Sequence, residues 1–150
     1  MEAQDLDPIL MLASASAEAP RWTRRDYEQI LLAEPAEPLA RCSMVAICDG
    51  NLVGFVVATL LQQETVAELD GLVVDQNYRR QGIGSALVGA SMAWAAHAGA
   101  LDLRLEVRAS NAAAIALYRR HAFSQVGIRR AYYSAPPEDA VLMQAPLFPV

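Results

Sequence analysis

The chain has 150 residues, a net charge of −5 at pH 7, and a composition that is 54% hydrophobic and 19% charged. A chain of this length makes one domain that buries ~70% of the surface its unfolded form exposes, and its apolar content offsets the ordering entropy, so a multidomain machine and a disordered chain are both excluded. All 12 basic residues are arginine; with no basic surplus the chain is not a general nucleic-acid or anionic-membrane binder, and any polyanion site has to be local.

The first eight residues carry three acidic groups and no basic cluster, which is not a secretory signal. Residues 82–101 are free of charge and long enough to span a membrane, but Ala and Gly dominate them and Ser85, Ser91 and His97 interrupt them, so they read as a buried helix. Cys42 and Cys48 fall in one strand-like run, where ~20 Å of extended chain forbids a disulfide; free thiols suit a reducing cytoplasm. Two Cys and two His at scattered positions form no metal-ligand cluster, and no metal is expected.

In chain order, residues 7–17 group their aliphatics as a helix, and Thr23 with Asp26 three positions on opens a second. Residues 35–38, Pro-Ala-Glu-Pro, read as a connection rather than a domain boundary. Residues 41–47 and 52–61 are β-type runs joined through Asp49-Gly50-Asn51, a hairpin signal, and residues 64–74 make a third strand of the meander. A loop over 75–84 leads into a helix over 85–98 that stops near Gly99. Residues 101–108 alternate strictly, with Leu101, Leu103, Leu105 and Val107 on one face and charged residues on the other, so this unit is βαβ. Ser110 is placed as the cap of a helix over 111–121, and residues 125–133 and 139–144 close the chain as an antiparallel pair. The expected fold is one α/β (α+β) domain over residues 1–150, a mixed sheet of six or seven strands with about four helices.

The spacing Arg79-x-x-Gly82-x-Gly84, after a strand and at a helix start, aims backbone N–H groups at the positive end of a helix dipole, as phosphate binding requires. An ordinary strand-to-helix turn uses glycine in the same way, and the pattern by itself does not separate the two. A dinucleotide loop needs a small residue where Leu87 stands, and a P-loop needs the lysine this chain lacks. A different phosphorylated ligand is indicated.

Residues 74–86, VDQNYRRQGIGSA, resemble the pyrophosphate-binding signature of the GNAT superfamily of acyl-CoA-dependent N-acetyltransferases. Residues 105–133, which begin LEVRASN and end RRAYY, closely resemble the ribosomal-protein alanine N-acetyltransferases, and Trp22-Thr23 with Tyr27 is similar to that family's second-helix entry. The resemblance implies a GNAT fold and acetyl-CoA as co-substrate, held by Leu72, Val74, Arg79, Arg80, Gln81, Gly82, Ile83, Gly84, Ser85, Asn111 and Tyr118. It implies Glu106 as the water-relayed general base on the incoming amine and Tyr118 as the acid that protonates the departing thiolate. It also implies a protein amino terminus as acceptor, an N-terminal alanine of a small-subunit ribosomal protein, with Arg129, Arg130, Tyr132 and Tyr133 beside the peptide groove. Without the resemblance, Glu106 reads as a surface carboxylate paired with Arg104 or Arg108, and Tyr118 as helix packing.

Three departures accompany the likeness: the family's first strand is missing or short, Gln76 stands for a usual proline, and Ala122 for a usual glycine. A left-handed Ala122 costs ~1 kcal/mol. His97 and His121, each near a helix C-terminus, have no nucleophile to pair with and read as structural, and Met92 and Trp94 read as core. Two other functions stay open: a GNAT enzyme for a small-molecule amine, and a non-catalytic acyl-CoA-binding module.

Overall fold

The computed structural model describes residues 1–32 and 38–148, so residues 35–37 of the expected connection lie outside the described residues. A 3-10 turn, Ala3–Asp5, runs into α1 (Leu6–Ser14), followed by α2 (Arg24–Leu32). Helix α1 ends three residues short of expectation, where Ser14 Oγ donates to the Met11 carbonyl at 2.8 Å and competes for the turn. The capping box at α2 forms: the Asp26 carboxylate accepts from the Thr23 N–H and Oγ1, and the Asp26 N–H donates back to Thr23 Oγ1.

The meander is β1 (Leu39–Cys48), β2 (Asn51–Leu61) and β3 (Val66–Val74). Its first turn places Asp49 at φ 48° and Gly50 at φ 77° between the paired Cys48 and Asn51, the left-handed pair that a two-residue hairpin requires. Helix α3 (Ile83–His97), β4 (Asp102–Arg108), α4 (Ala112–Arg120), β5 (Ser124–Ser134) and β6 (Pro137–Pro146) complete the chain. The described residues form a six-stranded mixed sheet in the order β1-β2-β3-β4-β6-β5, with β3 and β4 parallel. No strand precedes α1 among the described residues, and β1 is an outer strand; the amino group of Met1 donates to the Ser43 carbonyl on it at 3.0 Å. No described helix is long and apolar enough to cross a membrane.

Both faces of the sheet are covered. Ile9, Leu12 and Tyr27 from α1 and α2 pack on Phe55, Val57 and Val73, while Leu87, Val88 and Ala95 of α3 and Tyr118 of α4 pack on Val56, Leu60, Leu103 and Met143. Met92 and Trp94 pack against this second core, as expected. Two glycines let elements come close. A Cβ on Gly54 would lie 3.0 Å from the Val73 carbonyl oxygen and 3.2 Å from Leu87 Cδ1, and one on Gly71 would lie 2.7 Å from Pro20 Cγ. The first sets α3 against β2, and the second sets the α1–α2 loop against β3.

One irregularity in β3 positions the site. The register to β2 slips between Val57 and Ala58, which pair with Gly71 and Leu69, so Asp70 is an extra residue in a β-bulge. The bulge changes the alternation: Ala67 and Leu69 face the α3 core, then Leu72 and Val74 do, while Gly71 and Val73 turn to the α1–α2 side. Strand β4 pairs with β3 only through Val66–Asp102, Ala67–Leu103 and Glu68–Arg104, and from the bulge onward the two strands part. On its other side β4 stays paired with β6 along its whole length.

Candidate active site

A cleft of about 950 Å³ opens where β3 and β4 part, walled also by the α1–α2 loop, the start of α3, α4 and β5. Seven arginines and four carboxylates line it, so a chain with a net charge of −5 presents a locally positive surface here. The arrangement suits an anionic ligand that enters between the strands, where β3 offers backbone groups unpaired on its β4 side over residues 69–74.

At one end of the cleft the chain leaves β3 through a 3-10 turn, Gln76–Tyr78, whose start is fixed by the Asp75 carboxylate accepting from the Asn77 N–H at 2.8 Å. Arg80 at φ 62° and Gly82 at φ 85° are left-handed, and Gly82 caps α3. The first α3 hydrogen bond runs from the Ala86 N–H to the Gly82 carbonyl, leaving the N–H groups of Ile83, Gly84 and Ser85 without intrahelical acceptors. These are the donors an anion can collect. Arg79, Arg80, Gly82, Gly84 and Ser85 line the cleft, and Arg79 donates to the Val74 carbonyl and to Glu18. Two of the expected loop residues point their side chains elsewhere. Ile83 packs toward Gly54, and exposed Gln81 donates to the Asn77 carbonyl; what they can give an anion is backbone. A Cβ on Gly84 would meet Leu117 Cδ2 at 3.2 Å, so this glycine also sets the α3–α4 packing.

The other half of the cleft is a polar surface on the α1–α2 side of the sheet. Glu106 pairs with Arg129 of β5 at 2.9 Å, not with Arg104 or Arg108. Arg104 is taken by Glu68, and Arg108 lies 4.1 Å over the Tyr133 ring. Glu106 also raises the Tyr132 hydroxyl above its ordinary range. Arg129, Tyr132 and Tyr133 line the cleft, whereas Arg130 turns out to Asp139. Arg21 from the α1–α2 loop and Arg108 both donate to the Ala135 carbonyl at the β5–β6 turn, which bridges the two walls at this end.

Asn111 and Tyr118 both reach the cleft from α4. Asn111, rather than Ser110, is the cap: its Oδ1 accepts from the Ala114 N–H at 3.1 Å. Ser110 is drawn away by Glu138 of β6, to which its Oγ donates at 2.6 Å. Tyr118 is only 6% exposed, packs against Phe123 with ring centroids 5.6 Å apart, and burial lifts its hydroxyl well above the usual tyrosine range, with Tyr133 adding to the lift. His121, expected to have no nucleophilic partner, has Nε2 2.7 Å from Ser85 Oγ. Ala122 after it adopts the left-handed conformation, φ 63°.

Sequence reasoning could not place Asp70, yet it is the bulge residue on the cleft floor. Its side chain keeps an exposed surface, yet desolvation by the groups packed around it pushes its carboxyl up to about 6, opposed by Thr59 and Arg41 and reinforced by Glu68. A raised carboxyl pKa means that ionised Asp70 weakens the folded state above about 6, and that the penalty fades as pH falls toward the unfolded value of ~3.9. Asp70→Asn therefore raises the melting temperature at pH 7.5, and the gain shrinks through pH 6 and vanishes near pH 4. Melts across that range check it; a gain independent of pH, or a loss at pH 7.5, contradicts the desolvated carboxylate.

Residues 8–123 match the acetyltransferase (GNAT) family. The chain is 41% identical over 101 residues to the ribosomal protein bS18-alanine N-acetyltransferase of Escherichia coli (strain K12), covering 66% of this chain and 67% of that one. It is 38% identical over 133 residues to an N-alpha-acetyltransferase of Sulfurisphaera tokodaii, covering 81% and 79%. The crystal structure of the ribosomal-protein-S18-alanine N-acetyltransferase from Escherichia coli matches with a TM-score of 0.79 at 30% identity, over 98% of this chain and 90% of that one. The family match spans the parted strands, the α3 turn and α4 up to Phe123, which build the cleft together with β5, and on that ground the chain belongs to the GNAT family of acetyltransferases.

Proposed function

We propose that the chain, acting as one domain in the cytoplasm, acetylates the amino terminus of a protein, an N-terminal alanine of a ribosomal protein, with acetyl-CoA as co-substrate. The observation that carries this reading is the parting of β3 and β4 beside the unbonded N–H groups at the start of α3. A diphosphate fits those donors and the arginines beside them, and an extended amide-bearing arm fits the unpaired edge of β3 at Leu72 and Val74. Acetyl-CoA supplies the acetyl group, activated as a thioester. The curated relatives that modify an alanine terminus or an α-amine support the acceptor.

The remaining chemistry falls to the chain's own residues. Glu106 faces the acceptor half of the cleft, with Arg129 holding its carboxylate, and accepts the amine's proton through water. This base has a modest task, because an α-amine of pKa ~8 is ~10% neutral at pH 7 and a lysine of pKa ~10.4 is neutral several hundred times less often. N–H groups of the Leu72–Val74 stretch supply an oxyanion donor. Tyr118 returns a proton to the leaving sulfur, and its buried hydroxyl stays protonated throughout the working pH range. Asn111, as the cap of α4, holds that helix and its tyrosine at the cleft.

The acceptor half favours a peptide over a polyamine. Three of the four cleft carboxylates, Glu18, Glu68 and Glu106, are each paired with an arginine, and seven arginines line the cleft, so it is not a negative lure for a polycation even with Asp70 on its floor. Strand β5 is an outer strand with Arg129, Tyr132 and Tyr133 at the cleft, and an extended peptide can lie along it with its terminus toward Glu106.

Tyr118→Phe retains the ring packing and acetyl-CoA binding and lowers turnover by ~10²–10⁴-fold, and Glu106→Gln lowers it most at low pH, where more of the amine must lose a proton. CoA-release rates for both variants check this; wild-type rates in both transfer the roles to other groups or leave a binding module. For the acceptor, peptides beginning with Ala or Ser are modified faster than those beginning with Leu or Glu, and a blocked terminus abolishes transfer even when an internal lysine is present. Preferential modification of the lysine, or of spermidine, overturns the peptide reading in favour of a small amine.

A further inference from the structure

We propose that His121 is a positioning residue for the diphosphate turn: its hydrogen bond orients the Ser85 hydroxyl toward a bound diphosphate, and the imidazole takes up a proton when the diphosphate arrives. The inference rests on the acetyl-CoA site proposed above and adds a residue to it. Ser85 is the third residue of α3, in the turn that leaves N–H groups unbonded, and it lines the cleft. His121 follows the last turn of α4, where the left-handed Ala122 sends the chain away toward β5. Its ring lies along one turn of α3, with Nε2 2.7 Å from Ser85 Oγ and Cε1 3.8 Å from where a Cβ on Gly89 would sit.

The polarity of this bond decides what Ser85 can do. A serine hydroxyl has one proton. If imidazole Nε2 is bare, it accepts that proton, and Oγ turns only lone pairs to its other neighbours, which repels a phosphate oxygen. If Nε2 carries hydrogen, it donates to Oγ and leaves the hydroxyl proton free to bond a phosphate oxygen. A diphosphate therefore selects the second arrangement, and its negative charge favours the imidazolium over the neutral ring.

Before a diphosphate arrives, the surroundings disfavour the charged ring. Burial lowers its pKa from the ordinary histidine value, and Arg120 beside it on α4 lowers it further. From α3 the ring meets Ser85 and Gly89, and between Ile83 and Met92 that helix carries no ionisable side chain. No carboxylate in the described surroundings offsets Arg120. Binding a diphosphate at Ser85 reverses the sign of the local field, so proton uptake accompanies binding, and affinity rises as pH falls toward 6.

The test uses dephospho-CoA, which retains the diphosphate and lacks the phosphate monoester that itself titrates near pH ~6. Calorimetric titrations of the full chain between pH 5.5 and 8, in buffers of different ionisation enthalpy, report the dissociation constant and the protons bound. Wild type takes up a fraction of a proton per site and binds more tightly at pH 6 than at pH 8. His121→Phe loses the uptake and the pH dependence and binds about tenfold more weakly at pH 6, the loss of one hydrogen bond to a charged arrangement. His121→Gln keeps a donor for Ser85 but cannot be protonated, so it recovers affinity without proton uptake. Ser85→Ala weakens binding like His121→Phe, and the double variant adds no further loss. Wild-type affinity and wild-type proton uptake in both His121 variants overturn the inference and leave the acetyl-CoA site standing. A wild-type chain that binds neither dephospho-CoA nor acetyl-CoA removes the site itself and the role of His121 with it.

Discussion

Parallel strands β3 and β4 are held together by three residue pairs and then separate, because Asp70 is inserted into β3 where β2 has no residue to match it. A bulge of this kind bends and twists its strand. Here it also changes which residues face which core, and both sides benefit. Ala67, Leu69, Leu72 and Val74 stay on the apolar α3 side, while Gly71 turns to the loop side, where Pro20 leaves no room for a Cβ. The opening between two otherwise well-packed strands is therefore built by burial on either side of it. Close approach of α3 to β2 at Gly54 then sets the N-terminal turn of that helix at the mouth of the opening.

Charge is arranged around this opening with the opposite sign to the chain as a whole. The acidic surplus lies elsewhere, and at the cleft each of Glu18, Glu68 and Glu106 is held by an arginine. Arginine suits this task because its planar fork can grip a carboxylate and still present further donors. Asp70 is the exception, a carboxylate with raised pKa on the cleft floor, held near Thr59 and Arg41. The bulge thus carries a cost in charge desolvation as well as a gain in shape.

Local features of this fold were legible from sequence. The alternation over residues 102–108, the Asp49-Gly50 turn and the Thr23–Asp26 cap each depend on neighbours a few positions apart and form as read, whereas Leu101, expected on the apolar face of that strand, lies outside it and is 56% exposed. The glycine turn was legible as an anion site only through its family resemblance, since a plain strand-to-helix turn has the same letters. The bulge has a signal in the sequence: apolar alternation changes phase after Leu69, at an Asp-Gly pair that strands disfavour. The cap at α4 shifted from Ser110 to Asn111 because Glu138, distant in sequence, captured the serine. Partners such as Arg129 for Glu106 and His121 for Ser85 lie 23 and 36 positions away, and no periodicity links them.

The parted strands and the α3 turn together make the acetyl-CoA site proposed above. Amide hydrogen exchange with and without acetyl-CoA, read peptide by peptide, addresses it directly. Protection is predicted in two segments, residues 69–74 of β3 and residues 81–85 at the start of α3, with β1 and the β1–β2 turn unchanged. Protection confined to other segments, or none at saturating acetyl-CoA, contradicts it.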